Sequence, residues 1–281
     1  MSDDARPSAA TLVVELVTEE LPPKALKTLG AAFAETLVAQ LRARAMLGAD
    51  STITPFATPR RLAVAITSVR SVGPDAEVVD KLMPAKVAFD ANGQPTNALN
   101  KKLAALGRAH LATAAPDAWD GPDHRYTKSD GKADYVWLRS LAEGKPLERA
   151  LQEALDATLE RLPIPKVMRY PVRGSYYNDA AFVRPAHRLL ALHGTACVPV
   201  TALGLNAGGV TSGHRFLSRD DIAVASADAY APTLEAEGKV LPGFQQRRDA
   251  IERGLEAAAA GDTIVMPAFR YIHENIRMGQ T

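Results

Sequence analysis

The stretch that decides the architecture is TLVVELVTEELPPKAL, residues 11–26. TLVVELV is apolar and rich in β-branched residues, which predicts a buried strand. Two adjoining prolines then open a helix, a position where a missing backbone N–H costs nothing. Leu26, Leu29, Phe33, Leu37 and Leu41 recur at helical spacing. A helix over 22–47 is therefore expected, closing near Arg42, Arg44 and Gly48. Glu19 and Glu20 sit beside the helix start, where a carboxylate is favoured by about 0.3–1 kcal/mol. That reading is preferred to a catalytic pair.

Outward from this stretch, STITPFATPRRLAVAITSV (51–69) predicts two strands around Thr58-Pro59. Strand, helix, strand and strand suffice for a small α+β layer. Residues 70–94 read as turn-rich, with Asp90-Ala91-Asn92-Gly93 the clearest turn. A short helix is expected from Pro95 to about Leu106, loop over 107–133, and a strand at 134–142. An amphipathic helix begins at Pro146, with Leu147, Leu151, Leu155, Leu159 and Leu162 on one stripe. Prolines 163, 165 and 171 impose an extended path and suggest a junction. Short strands with glycine turns follow, Pro199 marking an edge or bulge. A last helix starts near Pro242. The class is α+β: a sheet-plus-helix module over 11–69, a connecting region over 70–162, a β-rich module over 163–241, a helix over 242–260 and an atypical tail over 261–281.

The chain has 281 residues, 47% of them hydrophobic, and a formal net charge of +1. A global basic field is absent, so nucleic-acid binding has to rest on local patches. The single cysteine, Cys197, excludes an internal disulfide framework and fits a reducing cytoplasm; its apolar surroundings, TACVPV, predict a buried, inert thiol. No stretch reaches the ~20 apolar residues of a membrane-spanning helix.

Between Pro163 and Arg188 lie Lys166, Arg169, Arg173, Arg184 and Arg188 against one acid, Asp179, with Tyr170, Tyr176, Tyr177 and Phe182 interleaved. FVRPAHR (182–188) concentrates this character, adding His187, and GHRF (213–216) adds His214 and Arg215. Arginine with aromatics suits phosphates and unpaired bases. Other chemistries lack their signatures. The histidines are dispersed and show no metal-ligand spacing. NAGGVTSG lacks the lysine of a phosphate-binding loop. No glycine-rich loop follows the first strand, and Ser212 forms no nucleophile elbow.

VELVTEELPPKAL, ATPRRLAV, AFDANGQPT, LPIPKVMRY, FVRPAHRLLALHG, SGHRFLS and GKVLPGFQQRR occur here in one order. Over roughly residues 11–258 this resembles the β subunit of bacterial heterotetrameric glycyl-tRNA synthetase. The resemblance implies a tRNA-binding chain supporting ATP-dependent attachment of glycine to tRNA by an α subunit, in an α2β2 assembly in the cytoplasm. ATP and magnesium belong on the α subunit, with no cofactor, metal or catalytic residue here. It also implies that the β-rich part is similar to the B3/B4-type module of the phenylalanyl enzyme. Lys166, Arg169, Arg173, Arg184, His187, Arg188, His214 and Arg215 would then face the acceptor arm, with Arg60 and Arg61 of TPRRL as lesser candidates. The rival implications are an editing hydrolase using His187, His214 and Thr211, and a scaffold docking the α subunit through the first helix. Residues 262–281 depart from the pattern, from which a truncated or frameshifted product, unable to charge tRNA alone, is expected.

Overall fold

In the computed structural model, which describes residues 8–112, 117–172 and 179–259, the opening stretch folds as its pattern predicts. Strand β1 (Ala9–Thr18) runs into helix α1 (Pro23–Ala43), with Pro22 as N-cap and Pro23 at the first helical position. β2 (Ile53–Thr58) and β3 (Arg61–Arg70) form an antiparallel hairpin, and β3 pairs with β1. The helix stops before Gly48. Ala45 adopts φ +55°, and the amides of Ala45 and Met46 donate to the carbonyls of Arg42 (2.9 Å) and Leu41 (3.0 Å). This closure normally employs glycine at the left-handed position; here the fully buried Met46 anchors it.

Pro74–Lys145 forms a compact unit of its own. It contains β4 (Ala76–Pro84), α2 (Ala85–Ala88), α3 (Asn97–Ala105), β5 (Ala118–Asp120), β6 (Asp123–Ser129) and β7 (Asp134–Ala142). The four strands pair antiparallel in the order β4-β7-β6-β5. Ala88, Leu99, Leu103, Leu111, Val136 and Leu138 make its core. The Asp90–Gly93 turn forms as predicted: Asp90 Oδ1 accepts from the amides of Asn92 and Gln94, both at 2.8 Å, and Gly93 has φ +76°. Two expectations fail in this unit. β4 occupies a stretch read as turns, because it is mostly exposed and carries no apolar alternation. β6 occupies a stretch read as loop, because its buried residues are charged, Asp123 and Arg125, the latter with Nε donating to the Leu111 carbonyl at 2.8 Å.

The remaining chain returns to the first unit, which comprises the described parts of Met1–Gly73 and Pro146–Thr281. Its elements are α4 (Leu147–Arg161), β8 (Met168–Pro171), β9 (Asp179–Phe182), β10 (Ala186–His193), β11 (Ala196–Cys197), β12 (Thr201–Ala202), β13 (Leu205–Gly208), β14 (Val210–Thr211), β15 (Ile222–Ala223), α5 (Tyr230–Ala236) and α6 (Phe244–Ala259). Among the described residues, seven strands form one sheet in the order β12-β13-β10-β1-β3-β2, with β11 on β10. β10 pairs antiparallel with β1, Leu12 opposite His193 and Val17 opposite Arg188. The sheet is covered on both faces. Leu12, Val14, Leu16, Leu189 and Ala191 pack with the apolar stripes of α1 and α4. Val13, Ala63, Leu190 and Leu192 pack with Tyr230 and Leu234 of α5.

The division of the chain therefore differs from the expected one. Residues 163–241 do not stand apart from 11–69; β10 lies beside β1 in one sheet, and the compact units part near residues 73 and 146. The proline-dense stretch looks like a linker in sequence, yet Leu162 and Ile164 join the main core. Cys197 is also corrected: it lies on the edge strand β11 and is exposed. The expected tail, 261–281, lies outside the described residues.

Candidate nucleic-acid interface

Because β1 runs antiparallel to both β3 and β10, its C-terminal end meets the N-terminal ends of both neighbours. Three turns are gathered there. The amides of Thr18 and Leu21 donate to the carbonyls of Arg60 (2.9 Å) and Pro59 (2.6 Å), and the amide of Glu19 donates to that of Pro185 (2.9 Å). A fourth segment, after β14, joins through its side chains. This end of the sheet carries both TPRRL and FVRPAHR, more than a hundred residues apart in sequence.

Glu19 and Glu20 are the hub. His187 Nε2 lies 2.9 Å from Glu19 Oε1, and Arg215 lies 3.3 Å from Glu19 and 3.8 Å from Glu20. Arg60 reaches both carboxylates at 3.9 and 4.0 Å. The hydrogen bond from His187, with the charges of Arg60, His187 and Arg215 added to it, holds the Glu19 carboxyl below its ordinary pKa against the opposing effect of burial. The acids expected to serve the helix dipole therefore organise a cationic corner instead. Arg188 pairs with Asp221 at 2.9 Å.

Clefts open around this hub. Lys166 and Arg184 line one, with Glu19, Glu20 and Pro185. His187, Arg188 and Arg60 line a second, again with Glu19. Arg60, Arg61, His214 and Arg215 line a third, with Glu20. Lys166 is exposed, and Arg184 donates to the Val183 carbonyl at 2.8 Å; neither has an ion-pair partner among the described residues. Arg169 is exposed on β8 and lines none of these clefts. Arg173, Tyr176 and Tyr177 lie outside the described residues.

Arg61 has a different setting. It is buried with the fully buried Glu15, Nε to Oε1 3.3 Å. Tyr230 Oη donates to the same carboxylate at 2.8 Å, Thr211 Oγ1 donates to its other oxygen, and Arg61 Nη2 donates to the Ser212 carbonyl. Burial, with the Glu15 charge beside it, pushes the Tyr230 hydroxyl well above its ordinary pKa. Thr211 is thus committed to the interior. The sequence reading gave Glu15 no role; its one visible signal is a charge in the middle of TLVVELV. Lys239, Arg247 and Phe216, which line the third cleft, were also missed, since nothing local ties residues 216–247 to TPRRL.

Among the described residues, no three His, Cys, Asp or Glu side chains are grouped to hold a metal ion. No helix among them is long and apolar enough to cross a membrane. The apolar stripe of α1, Leu26, Leu29, Phe33, Leu37 and Leu41, is buried in the core.

Comparison with known proteins converges on one family. Residues 12–276 match the family model described as glycyl-tRNA synthetase beta subunit. The chain is 48% identical over 92% of its length to the glycine–tRNA ligase beta subunit of Ralstonia nicotianae, covering 36% of that protein. It is 50% identical over 90% of its length to that of Leptothrix cholodnii, covering 34%, and 44% identical over 89% to that of Nitrosomonas europaea, also covering 34%. The chain thus spans about a third of the curated relatives it matches. The family match continues past Gly261, so the resemblance does not stop where the sequence reading ended it.

Proposed function

The chain belongs to the glycyl-tRNA synthetase beta-subunit family, and from that premise we propose that it is a tRNA-gripping portion of a glycine–tRNA ligase. In this reading it holds the acceptor arm while an α subunit, carrying ATP and magnesium, attaches glycine in an α2β2 assembly in the cytoplasm. The unit built around β1 and β10 is taken as the counterpart of the B3/B4-type module. Lys166, Arg184, His187, Arg188 and Arg215, with Arg60, supply the RNA contacts; Arg169 and Arg173 extend them along the same arm.

One observation carries the reading: cations distant in sequence meet at one end of the sheet, where their acidic partners Glu20 and Asp221 are largely exposed and Glu19 partly so. Exposed ion pairs contribute only about 0–1 kcal/mol, so a phosphate can replace the carboxylate at little cost. The rival readings find less support. The hydrolytic reading, on His187, His214 and Thr211, loses Thr211, whose hydroxyl binds buried Glu15. The docking reading needs an exposed apolar stripe on α1, and that stripe is covered.

The test is an anisotropy titration of the chain with labelled glycine tRNA, and with the same tRNA lacking its acceptor arm, at three salt concentrations. The expected outcome is tighter binding to the complete tRNA, weakening steeply with salt as condensed counterions are released. Equal affinity for both RNAs would remove the acceptor-arm assignment.

A further inference from the structure

The third cleft is more than a surface patch. Its volume is about 460 Å³, within the range of small-ligand sites. Five cations line it, Arg60, Arg61, Arg215, Lys239 and Arg247, against one acid, Glu20. Glu20 itself is 61% exposed and lies at the outer side.

Two of these cations are only partly satisfied. Arg61 is buried; its Nη2 donates to the Ser212 carbonyl and its Nε is ion-paired with Glu15 at 3.3 Å, but Nε makes no hydrogen bond and Nη1 has no hydrogen-bond partner among the described residues. Arg247 is half-buried and is held by carbonyls alone: Nη1 donates to Leu241 at 2.9 Å and Nη2 to Ala57 at 2.8 Å. No carboxylate pairs with it among the described residues. Burial first, and then the charge of Arg61, push its pKa down, so two guanidinium groups repel each other at this cleft. A cleft lined by like charges, one with an unused donor, gains free energy from an anion between them. Beside it Phe216 is 83% exposed and Leu217 66% exposed. An aromatic ring left in water next to a cationic cleft is the arrangement on which an unpaired base stacks.

We propose that this cleft binds a nucleoside phosphate, with the phosphate among Arg61, Arg215 and Arg247 and the base against Phe216. The proposal deepens the RNA-binding reading and rests on it for the natural source, an unpaired nucleotide of an RNA strand; a free mononucleotide presents the same chemistry. Arg215 is the switchable contact, since its bonds to Glu19 and Glu20 are exposed and give way to a phosphate.

The experiment titrates the full chain with three probes: a fluorescein-labelled five-nucleotide single-stranded RNA, adenosine 5′-monophosphate, and unphosphorylated adenosine. Phe216→Ala and Glu20→Gln are compared with the unaltered chain; both side chains are exposed, and equal thermal midpoints establish that the fold is intact. Phe216→Ala should weaken the single strand about tenfold. Glu20→Gln should tighten it, because the competing carboxylate is gone. Adenosine should bind at least tenfold more weakly than its monophosphate. Displacement of the single strand by the mononucleotide identifies the phosphate-plus-base unit as sufficient; a mononucleotide that binds nowhere, with the strand bound and sensitive to both substitutions, identifies an RNA strand as the source. Single-strand and mononucleotide affinities unchanged by both substitutions would overturn the proposal. Glycine tRNA bound equally well by Phe216→Ala would overturn it too while leaving the RNA-binding function standing. Mononucleotide binding sensitive to Phe216 without any tRNA binding would uphold the cleft and sink that function.

Discussion

Glu15 and Glu19 stand four residues apart, one in β1 and one just past its end, and each meets an arginine from the pair Arg60-Arg61. Each cluster is built on one Glu–Arg pair. Their surroundings are opposite. Glu15 and Arg61 are buried between the sheet and α5, with Tyr230 and Thr211 bound to the carboxylate and Arg61 Nη1 left over at the third cleft. Glu19 and Arg60 are partly exposed, and Glu19 shares its bonds with His187 and Arg215. The inner set cannot exchange partners without exposing a bare charge to an apolar interior. The outer set can exchange them with any anion that arrives. The same Glu–Arg pairing therefore serves stability on one side of a turn and recognition on the other, and solvent access is what separates the two.

The largest expected effect is on the inner set. Glu15→Ala should cost about 3–5 kcal/mol, read by chemical denaturation, because it leaves Arg61 buried and unpaired. A loss below about 1 kcal/mol would erase the contrast with the outer cluster. Replacing the pair together, Glu15→Leu with Arg61→Met, should recover most of that loss in the same measurement, since apolar groups of similar volume need no partner. A double variant no more stable than Glu15→Ala would mean that the network does more than neutralise charge.

In the outer set the effects are small. Glu19→Ala should change stability by at most about 1 kcal/mol. The pH dependence is sharper. The Glu19 carboxyl lies below its ordinary value of 4.5, first through the His187 hydrogen bond. A lowered folded-state pKa gives a contribution that is complete above the ordinary value and is lost as pH falls through the lowered one. The variant His187→Ala should return the Glu19 titration toward 4.5, followed by carboxyl NMR. An unmoved titration would show that the arginines alone set it.

The sequence exposed the elements whose burial repeats regularly. β1, α1, the hairpin at Pro59 and α4 carry their period in leucines, valines and alanines, and the 134–142 strand alternates Val136 and Leu138 inward. β4 and β6 were hidden because one is mostly exposed and the other buries an arginine. The pairing of β10 with β1 was hidden for another reason: a contact across more than 160 residues leaves no local period. The same limit applied to the site. FVRPAHR and TPRRL were legible as cationic runs, but their meeting at Glu19 depends on strand order. Arg61 shows the cost of reading charge without burial, since it stands next to Arg60 and is buried against Glu15.

The claim that the outer cations bind RNA is tested most directly by Arg184→Ala combined with Arg215→Ala. Both side chains stand at the Glu19–Glu20 corner, neither is in the buried network, and affinity for glycine tRNA can be followed across a salt series. The account predicts a loss of at least tenfold in affinity and a logarithmic salt slope shallower by about 1.5, the release of two fewer contacts' counterions. A double variant with affinity and slope both unaltered would contradict it.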